Sequence, residues 1–273
     1  MSLVIMDSGE LLNKVFLAYE KERQNLRFSG FCPASINFFD DYPVEALGEW
    51  NDCNKNWMND SKKQVFEEYL KPEFENLVND ITKLISHLDP EIEMDAGKNI
   101  GSLHHRHKGW LPHYWAAIHT LGKDKRTDIQ FFINLTALGL RVGIYTGEYA
   151  DGIKVWHGFI VRLSKNKDEV FQELKELESK DYLFINTDSR DYAMKSDGKV
   201  ATVNDSQEMY DHVYRRNKYE RKKPEFDIIY RIGKEKMTDK SLIEEILRCF
   251  VETRRMYEML QPSSFNKYKR TLL

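Results

Sequence analysis

The stretch "IQFFINLTALGLRVGIYTGE", residues 129–148, decides the fold because its apolar side chains alternate with a period of two. The residues that share one face are Phe131, Ile133 and Leu135 and, after a turn near Gly139, Leu140, Val142 and Ile144. Alternation of this kind is typical of strands that bury one face, and two such runs joined by a short turn predict a β-hairpin.

Helical periodicity precedes this hairpin. Residues 9–28 predict an amphipathic helix, and apolar residues at intervals of three and four from Val65 to Leu88 predict another. Ser61 and Gln64 form a capping-box pair that predicts where this second helix begins, and Pro72 within it predicts a kink or a break between two abutting helices.

Strand and helix patterns alternate after the hairpin. Strands are predicted at 154–164, 181–188, 198–205 and 224–233, and helices at 168–178, 206–216 and 239–260. This order predicts an α+β fold: a helical N-terminal part, then a mixed, mainly antiparallel sheet with packed helices, and a C-terminal helix. We expect an N-terminal helix and loop at 1–46, a single α+β domain at 47–262, and a basic tail or truncated linker at 263–273.

Composition excludes several classes of protein. The chain has 273 residues, of which 41% are hydrophobic and 31% charged, so it is far from the disordered regime. A net charge of −3 gives no global basic field, so nucleic acid would have to bind a local patch. The three cysteines, Cys32, Cys53 and Cys249, do not have the spacing of a disulfide framework or of a metal knuckle, which indicates a reducing, cytoplasmic location. The sequence contains no apolar run long enough to span a membrane, so we expect no membrane partner.

Common catalytic motifs are missing from the sequence. It has no GxxxxGK[ST], GxGxxG or GxSxG pattern, and its three cysteines lack the context of a nucleophile. We therefore assign no catalytic residue, and a binding role is favoured over an enzymatic one.

The stretch "HHRHKGWLPHYW", residues 104–115, leaves three interpretations open. It could be a polar strand or loop whose tryptophans pack inward. It could hold a zinc ion through His105, His107 and His113, with His104 nearby and Asp124 or Asp128 completing the ligand set. It could also contact phosphates and bases through Arg106, Lys108 and Trp110.

A second basic stretch, "YRRNKYERKK" at 214–223, carries six basic side chains and one acid, with Tyr214 and Tyr219 interleaved among them. It is either a solvated linker loop or a surface that holds phosphates by charge and bases by stacking. The residues of this stretch that we predict to contact nucleic acid are Arg215, Arg216, Lys218, Tyr219, Arg221, Lys222 and Lys223.

Residues 51–95 also carry a family resemblance, in the segments "NKNW" at 54–57, "PEFENLV" at 72–78 and "DPEI" at 89–92. The matching positions are Asn54, Lys55, Trp57, Lys63, Phe66, Glu67, Pro72, Glu75, Leu77, Val78, Asp89, Pro90 and Ile92. They resemble the opening of the bacterial family catalogued as domain of unknown function 2461, and the pattern extends over about residues 47–165. The family's following Arg- and Asp-containing signature is replaced here by the histidine and tryptophan stretch, in which only Pro112 matches, so no activity of that signature carries over.

The resemblance implies a role in target recognition, because similar domains occur alone or ahead of McrB-type restriction ATPases. It favours a module that recognises nucleic acid, most of all DNA, in a prokaryotic defence or restriction system. Such a module would be non-catalytic by itself and would have an AAA+ ATPase or a nuclease as its partner. Two alternatives stay open: a protein-interaction domain, and a metal-dependent hydrolase or nuclease using the 104–113 histidines.

Overall fold

The computed structural model describes residues 8–43, 56–105, 109–122, 129–146, 167–186, 202–203 and 226–260. Its helices are α1 (Ser8–Glu22), α2 (Pro33–Ile36), α3 (Asp60–Val65), α4 (Lys71–Ser86), α5 (Ala96–Asn99), α6 (Lys167–Glu178) and α7 (Ser241–Leu260). A π-helical turn, Phe66–Leu70, joins α3 to α4, and a 3-10 turn, Lys234–Lys236, precedes α7.

The strands are β1 (His104–His105), β2 (Gly109–Trp110), β3 (His113–Ile118), β4 (Ile129–Thr136), β5 (Gly139–Thr146), β6 (Leu183–Asn186), β7 (Thr202–Val203) and β8 (Phe226–Ile232). Six of them form one sheet in the order β3-β4-β5-β8-β6-β7, and β1 pairs with β2 separately. Every pairing between these strands is antiparallel. The α+β prediction is confirmed, while the strand predicted at 154–164 and the helix predicted at 206–216 lie outside the described residues.

The central hairpin is confirmed with the register that its apolar pattern predicts. Ile133 lies opposite Val142, and the turn closes where Thr136 lies opposite Gly139. The Thr136 hydroxyl donates to the Gly139 carbonyl at 3.0 Å and accepts from the Leu138 amide at 3.2 Å. Gly139 has a φ of 106°, a conformation that favours glycine.

The core lies between one face of the six-stranded sheet and the helices. Helix α7 contacts α1, α4 and α6 as well as β4 and β5. The predicted apolar stripe of α7 is confirmed as buried: Leu242, Ile243, Ile246, Leu247, Phe250 and Tyr257. Helix α1 contributes Leu11, Val15 and Tyr19 to the same core, so the N-terminal helix packs within the sheet-and-helix unit. None of the described helices has the length and apolar character needed to cross a membrane.

Two helix boundaries differ from the sequence predictions. Helix α1 ends at Glu22 rather than at residue 28, because the following chain leaves the helix and the Phe28 amide donates to the buried Asp80 carboxylate at 2.8 Å. Helix α3 is capped by Asn59, whose side-chain oxygen accepts from the Lys62 amide at 2.9 Å, so the proposed cap at Ser61 was wrong.

Pro72 lies where abutting helical segments meet, which is one of the two arrangements predicted from the sequence. It lies in the first turn of α4, directly after the π-helical turn. A proline cannot donate to the carbonyl four residues earlier, and a local change of hydrogen-bond spacing accommodates that loss without ending the helix.

The backbone of β8 occupies the space that a side chain on Gly143 of β5 would need. This residue has a φ of 151°, and a Cβ atom built on it would lie 1.9 Å from the Ile228 carbonyl oxygen. Only glycine permits this contact, so Gly143 fixes how the two central strands pair.

We expect Gly143→Ala to lower the free energy of unfolding by about 3 kcal/mol, because the added methyl must push β8 away and the backbone conformation is strained. Gly122→Ala is the matched control, since Gly122 also has a positive φ of 77° but a Cβ there would meet nothing within 4 Å. It should cost only about 1 kcal/mol. Chemical denaturation measures both, and equal losses would contradict a special role for the β5–β8 contact.

Candidate functional site

The face of the six-stranded sheet opposite the helices is polar. Side chains alternate along each strand, so the residues between the core positions point to this second face. Its described residues include His113, Trp115, Gln130, Asn134, Thr136, Arg141, Asp227 and Arg231. Among the described residues of this face, Phe132 and Ile229 form a small apolar cluster with Tyr145 against them.

Strand register aligns four of these side chains across four strands. Trp115 lies opposite Asn134, Asn134 opposite Arg141, and Arg141 opposite Arg231. We call these four residues the arginine row. Neighbouring strands lie about 4.8 Å apart, so the row spans about 14 Å from Trp115 to Arg231.

Positive charge is concentrated at one end of the arginine row. Arg141 is 9% exposed and Arg231 is partly exposed. Burial lowers the pKa of Arg231 below its ordinary value, although a guanidinium stays charged in proteins. Like charges directly opposite each other on neighbouring strands are unfavourable, and each of the two arginines takes part in interactions within the protein.

One acid, Asp227, lies on the described strands of this face. It is four residues from Arg231 along β8, a separation of about 13 Å in an extended strand. The strand register places it opposite Tyr145 rather than beside either arginine.

The other two members of the row add a polar amide and an aromatic ring. Asn134 is 7% exposed, and its buried Oδ1 accepts no hydrogen bond within the part of the chain that the structure describes. The Trp115 indole packs under Gly101, where an added Cβ would lie 2.1 Å from Cε2 of the ring. The Gly101 amide also donates to the Trp115 carbonyl at 2.8 Å, which fixes this end of the row.

The chemistry of the row suits an anionic ligand with a polar edge. A guanidinium donates two parallel hydrogen bonds to a phosphate or a carboxylate, and an asparagine amide both donates and accepts. No covalent or proton-transfer chemistry is suggested, because arginine does not lose its proton in proteins.

The nucleic-acid residues predicted from the sequence are described only in small part. Trp110 lies in β2 opposite His104, with the two rings 4.8 Å apart and edge to face. The Tyr42 hydroxyl donates to the Trp110 carbonyl at 2.8 Å, and the half-buried indole packs against the core. The other predicted contacts lie outside the described residues: Arg106, Lys108, Arg215, Arg216, Lys218, Tyr219, Arg221, Lys222 and Lys223.

The histidine cluster is divided between two sheets. His104 and His105 form β1 in the two-stranded sheet, whereas His113 begins β3 in the six-stranded sheet. The structure describes only the backbone of His105, and His107, Asp124 and Asp128 lie outside the described residues. Among the described side chains, no group of three or more histidines, cysteines and acids is placed to hold a metal ion.

A cleft of about 120 Å³ lies between α7 and strand β8, at the start of β6. Its two carboxylates are already engaged, because Glu252 accepts from the Tyr182 hydroxyl at 2.8 Å and Glu245 pairs with Arg248 at 3.2 Å. Burial raises the pKa of the Cys249 thiol, which makes it a poor nucleophile. The cleft is therefore a weaker candidate than the arginine row.

Glu173 on α6 has the most perturbed carboxyl group described. Burial raises its pKa to about 6, although Arg255 on α7 lies 3.5 Å from it and lowers that value in part. Arg255 also pairs with Glu169 at 2.7 Å. This is an interface between two helices away from the arginine row, so we interpret it as structural.

Replacement of Glu173 tests this electrostatic description. In the folded protein the pKa of Glu173 is about 6, whereas its ordinary value is 4.5. The protonated Glu173 therefore favours the folded state at low pH, and this contribution to stability is lost as the pH rises through 6. The difference amounts to about 2 kcal/mol. We expect Glu173→Gln to raise the free energy of unfolding at pH 7 by about 1–2 kcal/mol and to leave it unchanged at pH 4.

Denaturant titrations at the two pH values measure this effect. Glu169→Gln is the control, because it removes a more exposed carboxylate that contacts the same arginine, and it should change stability by less than about 1 kcal/mol. A loss of stability in Glu173→Gln at pH 7 would show instead that the ion pair with Arg255 is net favourable.

The sequence analysis missed Arg141, Arg231 and Asn134. The hairpin pattern was sufficient to place Asn134 opposite Arg141, because both alternate with core residues and the turn fixes the register. Comparison with known proteins adds no functional assignment, since no family model matches the sequence and no curated protein matches it.

Proposed function

We propose that this protein is a nucleic-acid recognition module that uses the arginine row as its contact. The observation that carries the proposal is the position of Arg141 directly opposite Arg231 on one sheet face. The two arginines lie on the same face of the sheet in a molecule of net charge −3, and we propose that they form a local anion site there.

The neighbours of the arginines favour nucleic acid over a simple anion. Asn134 offers an amide of the kind that reads base edges, and Trp115 offers an aromatic surface beside it. The β1–β2 pair directly precedes β3, the strand that carries Trp115. In this pair Trp110 packs against His104, and the sequence between its two strands contains Arg106 and Lys108. Basic and aromatic groups in one region are typical of single-strand binding.

The biological setting is part of the same proposal. The resemblance to the family of domain of unknown function 2461, and to domains ahead of McrB-type ATPases, favours DNA as the target and a prokaryotic defence or restriction system as the context. An AAA+ ATPase or a nuclease would then supply the activity that we do not assign to this chain. A cytoplasmic location agrees with the free thiols of Cys32 and Cys249.

Two other proposals are weaker. A protein-interaction domain would not need an anion site. The positions of Arg141 and Arg231 therefore do not favour this alternative. A metal-dependent hydrolase or nuclease would bind zinc through His105, His107 and His113. The side chains of His105 and His107 lie outside the described part of the molecule, and His113 belongs to a different sheet from His105.

Titration of fluorescently labelled single- and double-stranded oligonucleotides tests the proposal. We expect binding at low salt that weakens as salt is raised, because phosphate contacts release counterions. Arg231→Gln should weaken binding at least about tenfold and reduce the slope of log affinity against log salt by about one, since one charged contact is lost.

Arg248→Gln is the matched control. It removes the same charge from α7, on the opposite side of the sheet, where Arg248 is 44% exposed and paired with Glu245. The control should bind like the unmodified protein. Absence of oligonucleotide binding at low salt, or equal losses in both variants, would reject the arginine row as a nucleic-acid contact.

A further inference from the structure

We infer that the cleft beside α7 binds a small α-amino acid as a zwitterion, with its ammonium group at Glu252 and its carboxylate at Lys180. The cleft lies in a different part of the molecule from the arginine row, so the inference does not depend on nucleic-acid binding. It depends on the size of the cleft, on the charges that line it and on the contacts of Glu252.

One face of helix α7 forms a wall of the cleft. Four of its residues line the space and are related by steps of three and four along the helix, so they lie on the same side of it. From first to last they extend over two turns, a length of about 10 Å. These residues are Glu245, Arg248, Cys249 and Glu252.

Two tyrosine rings form the facing wall. Tyr182 directly precedes β6, Tyr230 lies in β8, and the centroids of the two rings are 5.3 Å apart. Tyr182 is 4% exposed, whereas Tyr230 is partly exposed. The Tyr230 ring is therefore the aromatic surface that an apolar group entering the cleft can reach.

The volume of the cleft limits the ligand to a few heavy atoms. The space measures about 120 Å³, whereas sites for drug-sized molecules measure about 300–1,000 Å³. An apolar cavity of about 150 Å³ is large enough for benzene. A small aliphatic amino acid such as valine suits this space if its carboxylate stays at the mouth of the cleft.

The charges that line the cleft balance each other. Lys180 and Arg248 are positive, and Glu245 and Glu252 are negative. Each basic side chain is 44% exposed, whereas the two carboxylates are 17% and 19% exposed, so the positive groups lie nearer the mouth. A zwitterion matches this order when its ammonium group points inward and its carboxylate points outward.

The two carboxylates differ in how closely their cations hold them. Glu245 has two basic neighbours, Arg248 at 3.2 Å and Lys236 at 3.5 Å. Glu252 has one ion pair, with Lys180 at 3.5 Å. That distance is longer than the roughly 2.7–2.9 Å of a charge-assisted hydrogen bond, so a zwitterion can replace this loose pair by two closer ones.

Tyr182 holds Glu252 in position for such a ligand. The Tyr182 hydroxyl donates to Oε2 of Glu252 at 2.8 Å, while Lys180 approaches the other oxygen, Oε1. Burial raises the pKa of Tyr182 above its ordinary value, so this hydroxyl keeps its proton and remains a donor. A carboxylate has about four acceptor positions, so Glu252 can accept from an ammonium group as well.

An NMR titration of the full chain at pH 7, observed on the ligand, compares probes that share one carbon skeleton. The probes are L-valine, isobutylamine, which lacks the carboxylate, and isovalerate, which lacks the ammonium group. We expect valine to bind at least about tenfold more tightly than either of the others, because only valine contacts both Glu252 and Lys180.

Variants assign each half of the ligand to one side chain. Glu252→Gln keeps an oxygen that accepts from Tyr182 but removes the negative charge, so it should reduce the affinity for valine to that for isovalerate. Lys180→Met should reduce it to the affinity for isobutylamine. Glu176→Gln and Lys175→Met are the matched controls on the exposed face of α6, and both should bind valine like the unmodified protein.

Denaturation curves check that the variants are folded, and if Glu252→Gln does not fold, the exposed Lys180→Met and the series of probes decide. Equal binding of valine and of either analogue overturns the zwitterion inference. An affinity for valine that is unchanged in a folded Glu252→Gln or in Lys180→Met overturns it too, because valine would then bind elsewhere. Absence of binding of every probe overturns the site itself. Oligonucleotide binding is measured separately, so failure here is distinct from failure of the proposed function.

Discussion

The close contact between β5 and β8 at Gly143 is the constraint on which the rest of the structure depends. A side chain at this position would meet the Ile228 carbonyl, so only glycine lets the two central strands pair in this register. That register places Val142 and Tyr230 on the helix side of the sheet and Arg141 opposite Arg231 on the other side. One backbone contact therefore positions both part of the core and the candidate site.

The two sheet faces follow from this pairing and from the pleat. The apolar residues of β4, β5 and β8 meet α7, whose own apolar stripe is buried against them. Their neighbours in sequence are forced to the opposite face, since side chains alternate along a strand. Polar residues on that face are consequently held at fixed positions by a rigid sheet, which is the arrangement that a specific binding site needs.

Much of the fold could be predicted from the sequence, because its determinants are local. The β4–β5 hairpin, the α6 helix and the buried stripe of α7 each depend on residues close in the chain, and all three were predicted correctly. The boundary of α1 was missed since Phe28 is held by Asp80, a partner far away in sequence. The cap of α3 was missed since Asn59 and Ser61 are both good capping residues, and sequence alone does not decide between them.

The candidate site could not be predicted from the sequence, because it depends on contacts between residues that are far apart in the chain. The site residues predicted from the sequence lie in basic clusters along the chain, at 104–113 and 214–223, where charge is evident without knowledge of the fold. Arg141 is the one charged residue of β5, and Arg231 shares β8 with Asp227. The two arginines are ninety residues apart, and only the non-local pairing of β5 with β8 brings their backbone positions together. Our proposal keeps the idea of a local positive site on an acidic protein and places that site at different residues. An arginine between strand core positions is costly to bury unless a group of the protein or a ligand offsets its charge, and both arginines take part in interactions within the protein. Their positions depend on the fold, whereas an exposed basic run is evident in the sequence itself.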